Sequence, residues 1–181
     1  MIEARIFTSS LENAKATLQT HKAINKGKYK IIDEIFRSKD ASVSLTDEFL
    51  RLREMPENIW EDRNVILAMK RTRLQAVGKN SDIPLKQQFD KREDAEAYYN
   101  EHLSNQYVSD FSFSRIGWQY ILPSGDVVDL EIIEDDYPSI EFKSETAAGI
   151  EKLLSLFSVS SDEVITGPSV VAVKKILQPA N

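Results

Sequence analysis

Leu50-Arg51-Leu52-Arg53 decides how this 181-residue chain is read. Successive side chains of an extended strand point to opposite faces, so Leu50 and Leu52 share one face and Arg51 and Arg53 the other. Lys70, which ends the run Val65-Ile66-Leu67-Ala68-Met69, and Arg115 are spaced to bring further cations alongside. In a sheet closed into a barrel the shared face can be the interior. Guanidinium and ammonium groups gathered around one cavity repel one another unless a polyanion lies between them, and a phosphate chain is the natural occupant. Read alone, the stretch is an ordinary half-buried strand with its charges in water. What precedes and follows it favours the cavity.

Working outward, Ile2–Phe7 reads as a strand, and Ser9-Ser10-Leu11-Glu12 offers a capping box for a helix to about His21. Asn25-Lys26-Gly27-Lys28 reads as a turn, Tyr29–Phe36 and Phe49–Glu54 as strands, and Met55–Asn64, with Glu61 and Asp62, as a connecting loop. Val65–Thr72 and Leu85–Asp90 are the fourth and fifth strands, separated by a turn-rich, mobile loop over Gln75–Asp82. A helix beginning near Asp90 leads to a long strand, Asp110–Leu122, and Pro123-Ser124-Gly125-Asp126 turns into Val127–Ile133. Ser139–Ser144 is the eighth strand, and helices follow over Thr146–Phe157 and from Gly167-Pro168 to Leu177. Eight short strands and about four helices predict an α+β fold: a mostly antiparallel, closed eight-stranded β-barrel with helices packed outside.

Composition sets outer bounds. With 41% hydrophobic and 29% charged residues the chain has ordinary globular composition, and its length predicts one domain over residues 1–181. The longest apolar runs are too short to span a bilayer and no basic-then-apolar leader is evident, so a cytoplasmic location is expected, with no membrane partner. There is no cysteine, hence no thiolate nucleophile, and His21 and His102 alone do not make a histidine metal site or a Ser-His triad. A net charge of −6 is the wrong sign for tracking duplex nucleic acid, so any phosphate binding must be local.

The chain resembles the CYTH superfamily of triphosphate tunnel metalloenzymes, which includes thiamine triphosphatase, class IV adenylate cyclases and inorganic tripolyphosphatases. Asp33-Glu34-Ile35-Phe36 ahead of Leu50-Arg51-Leu52-Arg53-Glu54 is similar to the family's Asp-x-Tyr-Phe and Leu-Arg-x-Arg strands. Leu67-Ala68-Met69-Lys70 resembles Leu-Thr-x-Lys, Arg115-Ile116-Gly117-Trp118 the Arg-x-x-aromatic strand, and Asp129-Leu130-Glu131 the metal-side Asp strand, with Glu141 twelve residues after Asp129. The resemblance implies a tunnel holding a linear triphosphate. Residue by residue it assigns Arg51, Arg53, Lys70 and Arg115 to the phosphates, and Glu3, Asp129 and Glu141 to one or two ions, Mg²⁺ or Mn²⁺. The partner it implies is a small-molecule triphosphate, nucleotide or polyphosphate.

Departures are as informative. Where the family has Glu-x-Glu-x-Lys this chain has Glu3-Ala4-Arg5-Ile6-Phe7; where it has Glu-x-Glu this chain has Glu141-Phe142-Lys143; and Lys86-Gln87-Gln88 stands where relatives often carry an acid. Mg²⁺ takes hard oxygen ligands and gains nothing from an ammonium neighbour. Arg5 and Lys143 either neutralise phosphate oxygens directly or pair with Glu3 and Glu141. The leading expectation is a divalent-metal phosphohydrolase or related phosphotransfer enzyme acting on a triphosphate-bearing small molecule, with cyclase activity ranked below hydrolysis; the alternative is a metal-independent nucleotide or polyphosphate binder. A third reading is an interaction module whose pocket is filled by internal salt bridges. The acidic run Glu131, Glu134, Asp135, Asp136 is a further metal lure, its last three members more simply solvated. Trp118 either stacks on a ligand or packs as core.

Overall fold

The structure is a computed structural model describing residues 1–60, 64–75, 77–165 and 167–178; part of the expected Met55–Asn64 loop, including Glu61 and Asp62, lies outside the described residues. Eight strands, β1 (Ile2–Phe7), β2 (Ile24–Ser38), β3 (Glu48–Glu57), β4 (Val65–Leu74), β5 (Lys79–Phe89), β6 (Tyr107–Ile121), β7 (Val127–Ile133) and β8 (Tyr137–Ser144), pair in the closed order β1-β5-β4-β3-β2-β6-β7-β8. Pairing is antiparallel, and among the described residues four α-helices punctuate the strands: α1 (Glu12–Thr20) after β1, α2 (Arg92–His102) after β5, and α3 (Ala147–Leu156) and α4 (Ser169–Leu177) after β8. The expected fold class is the one found.

By contacts the chain divides into two compact units, each assembled from separate segments. The first comprises Met1–Tyr29, Leu74–Asn80 and Arg115–Gly167. Period-two alternation gives its strands two unlike faces. Ala4 and Ile6 of β1, Val128 and Leu130 of β7, and Ile140 and Phe142 of β8 pack with Leu11, Ala14 and Leu18 from the α1 region and Ile150, Leu153 and Leu154 of α3 into one apolar core. Thr146 caps α3 by accepting from the Gly149 amide at 3.0 Å. Trp118 pairs with Leu130 on this face, with the Lys15 ammonium 6.0 Å from its ring centroid, which favours the packing role over ligand stacking. The opposite face carries the charges.

The second unit, Lys30–Arg73, Ser81–Ser114 and Pro168–Asn181, repeats the scheme. Phe36, Leu50, Leu52, Val65 and Leu67 meet Ala95 and Leu103 in a second apolar core under α2. Arg92 at the start of α2 clamps the helix to the sheet through Glu34 of β2 and Glu54 of β3, and pairs within the helix with Glu96. Arg71 and Arg73, on the opposite face of β4 from Lys70, are exposed and paired with Glu48 and Asp82.

Four local expectations need correction. β3 runs on to Glu57, so residues 55–57, expected to open the connecting loop, are strand. Asn25–Lys28 is continuous strand, with Gly27 at φ 126 absorbing the distortion a turn would have taken. The Gln75–Asp82 loop is shorter than expected because β5 already begins at Lys79, whose neighbour Gly78 adopts φ 79. Leu11, rather than Ser9, occupies the N-cap of α1 and makes no side-chain cap bond; the Ser10 hydroxyl accepts from the Glu12 amide instead. No helix among the described residues is long and apolar enough to cross a membrane.

Candidate anion site and its buried ion-pair network

In the first unit the strand register gathers the charged face. Arg5 lies opposite Glu141, Glu3 opposite both Lys143 and Lys79, and Asp129 opposite Glu141, so these side chains project to one side. The Arg5 guanidinium, 3% exposed, bridges Glu131 and Glu141, reaching Glu141 Oε1 at 2.8 Å, and also donates to Ser139 Oγ at 2.8 Å. Arg115 Nε lies 3.0 Å from Glu131 Oε1 as an ion pair, and the same oxygen accepts a hydrogen bond from the Tyr29 hydroxyl at 2.6 Å. Lys143 Nζ sits between two acids, 2.5 Å from Asp129 Oδ2 and 3.0 Å from Glu141 Oε2.

Burial and charge pull these groups in opposite directions. Burial alone would raise the Glu141 carboxyl, but Arg5, Lys143 and Arg115 hold it well below the usual carboxylate range. Glu131 is likewise lowered, by Arg115 and Arg5 against its burial. For Asp129 burial prevails over Lys143 and the carboxyl is raised. Burial would lower Lys143, but Glu141 and Asp129 raise it and fix its charge. Lys79 is lowered because burial outweighs Glu141 and Glu3.

Tyr29 reaches Glu131 because Gly117 makes room: a Cβ at Gly117 would overlap the Tyr29 ring. Tyr29→Phe is expected to destabilise the protein by about 1–2 kcal/mol, the cost of leaving a buried carboxylate one donor short. Urea unfolding checks this, and Gly117→Ala should move the midpoint in the same direction.

In the second unit Arg53 grips Asp33 with two parallel bonds, Nε to Oδ1 at 2.7 Å and Nη2 to Oδ2 at 2.9 Å, while Arg51 Nε stands 3.7 Å from Asp33 Oδ1. The register sets Arg53 opposite Asp33, and Phe49, two residues before Arg51, opposite Lys70. On this β2–β3–β4 face, therefore, Arg51, Arg53 and Lys70 share a side with Asp33.

Of the residues singled out in the sequence, Arg5, Arg115, Glu3, Asp129, Glu141 and Lys143 fall on the charged face of the first unit, and Arg51, Arg53 and Lys70 on that of the second. Tyr29 and Lys79 were not among those candidates, while Glu131 entered only through the acidic run weighed as a metal lure and Asp33 only as a motif residue without a role. Glu131 follows Asp129 by two and so shares its face, a signal present in the alternation itself.

Asp129, Glu131 and Glu141 bring one carboxylate oxygen each within 4.8 Å of one another, a spacing able to hold an ion, and Asp129 Oδ1 has no hydrogen-bond partner. The chemistry of the set argues otherwise. Arg5, Arg115 and Lys143 already match the three carboxylates one for one, and the Lys143 ammonium lies between Asp129 and Glu141. Such a set does not fit a resident divalent ion.

No family model matches the chain, and no curated protein matches it. Solved structures do share its fold. PH1819 from Pyrococcus horikoshii OT3 is 17% identical with a TM-score of 0.68, covering 99% of both chains. PH1012 from the same organism is 15% identical with a TM-score of 0.67, covering 91% of this chain and 93% of its own. HpAC1 from Hippeastrum, an adenylyl cyclase candidate whose dominant activity is that of a triphosphatase, is 14% identical with a TM-score of 0.61, over 86% of this chain and 85% of its own. The fold is the one that the resemblance to the CYTH superfamily implies.

Proposed function

We propose that this chain binds a triphosphate-bearing small molecule, nucleotide or inorganic polyphosphate, through cations on its strands and without a resident Mg²⁺ or Mn²⁺. The observation that carries the reading is the face on which Arg51, Arg53 and Lys70 gather beside Asp33. Guanidinium forks match phosphate oxygens in pairs, and a half-buried setting strengthens each charge-assisted bond. Arg115, Arg5 and Lys143 are the anion-binding candidates of the first unit, where their carboxylate partners would have to yield for phosphate to enter. The likeness in fold to HpAC1 supports the substrate class. A cytoplasmic location fits the same reading.

Tripolyphosphate at about a hundredfold excess over its Kd is expected to raise the melting temperature by about 5 °C or more. EDTA should leave the shift intact and added salt should shrink it. A shift that EDTA abolishes would sink the metal-free part of the reading; no shift with tripolyphosphate, ATP or thiamine triphosphate would sink the binding part.

The second reading is a metal-dependent phosphohydrolase, with Glu3, Asp129 and Glu141 as ion ligands. The clustering of Asp129, Glu131 and Glu141 favours it. Phosphate release from tripolyphosphate that requires Mn²⁺ would establish it over the first.

A further inference from the structure

We infer that Arg5 and Lys143 are permanent counter-charges that keep divalent cations out of the Asp129–Glu131–Glu141 cluster, and that removing the Lys143 charge opens a latent ion site there. The inference deepens the reading proposed above by supplying a reason for its metal independence. Its test contains no phosphate, so the two fail separately.

Three carboxylates from neighbouring strands β7 and β8 converge within 4.8 Å, which by itself is common in proteins and means little. Two further observations give it meaning. Asp129, 1% exposed, keeps its Oδ1 without a hydrogen-bond partner while Oδ2 is held by Lys143, so one hard oxygen is buried and unsatisfied. The Lys143 ammonium is within 3.0 Å of Asp129 and Glu141 both, the bridging position between two ligands. Arg5 adds a second fixed positive charge against Glu131 and Glu141. An incoming divalent ion would meet two cations and carboxylates that are already neutralised. Shortening or reversing the residue-143 charge removes one competitor, frees both Asp129 oxygens and leaves excess negative charge, and hard cations with oxygen ligands follow that charge.

Mn²⁺ serves as the probe, followed by its electron paramagnetic resonance signal and by thermal melting of the full chain. The wild type should leave the free Mn²⁺ signal undiminished and show no saturable melting shift. Lys143→Glu should melt lower than wild type without metal, take up Mn²⁺ saturably, and gain about 5 °C or more at about a hundredfold excess over Kd, reversibly with EDTA. Adding Asp129→Asn should abolish that uptake. Where Lys143→Glu does not fold, Lys143→Gln is read in the same way. Saturable Mn²⁺ uptake by the wild type that Asp129→Asn removes would overturn the inference. So would a folded Lys143→Glu or Lys143→Gln that takes up no Mn²⁺.

Discussion

Arg5→Met should lower the unfolding free energy by about 3–5 kcal/mol, a melting decrease of roughly 10 °C, because it leaves two buried carboxylates without their shared cation. The methionine fills much the same volume, so packing is not what is lost. Adding Glu131→Gln to Arg5→Met should recover part of the deficit, since one stranded charge is then gone.

The pH response of the same pair of proteins carries the sign of the network. Glu131 and Glu141 are held below their unfolded values in the wild type, so their contribution is complete above about pH 4.5 and is lost as pH falls through the folded values. Asp129 works the other way. Raised by burial, it relieves a cost when it protonates and blunts the acid loss without reversing it. In Arg5→Met, burial acts on Glu131 and Glu141 with one cation fewer, so acidification from pH 7 towards 5 should narrow its deficit relative to the wild type. A deficit constant across that range would mean that Arg5 contributes through packing and not through charge.

Arg51→Met should weaken tripolyphosphate binding by about tenfold or more, the loss expected for one charge-assisted partner of a phosphate. Asp33 keeps its two bonds to Arg53, so the melting temperature of the unliganded protein should change much less than in Arg5→Met. Unchanged affinity in a folded Arg51→Met would remove Arg51 from the anion site. Arg51→Lys separates charge from shape: an ammonium restores the charge but cannot supply the planar fork, so partial recovery is expected.

What the sequence revealed and what it concealed have physical reasons. The bounds of β1 and β7 are read correctly because alternation is uninterrupted there and turns or polar residues close each end. The cations were legible for the same cause: Arg51 and Arg53 sit two apart in a strand, which fixes their common face before any partner is known. The pairing of Arg5 with Glu131 and Glu141 was not legible, because it depends on the register of β1 against β7 and β8, which lie more than a hundred residues further along the chain. Gly27 misled in the opposite direction, since a glycine among lysines and an asparagine has turn composition whether it makes a turn or only a twist in a long strand. Tyr29 was hidden twice over: its own position is unremarked, and the space it needs is provided by Gly117 far along the chain.

Isothermal titration of the wild-type protein with tripolyphosphate in metal-free buffer containing EDTA is the most direct test of the central claim. Saturable binding at one site per chain in EDTA, weakened by salt and needing no divalent ion, is the result predicted. Binding that requires the divalent ion, or none under either condition, would contradict it.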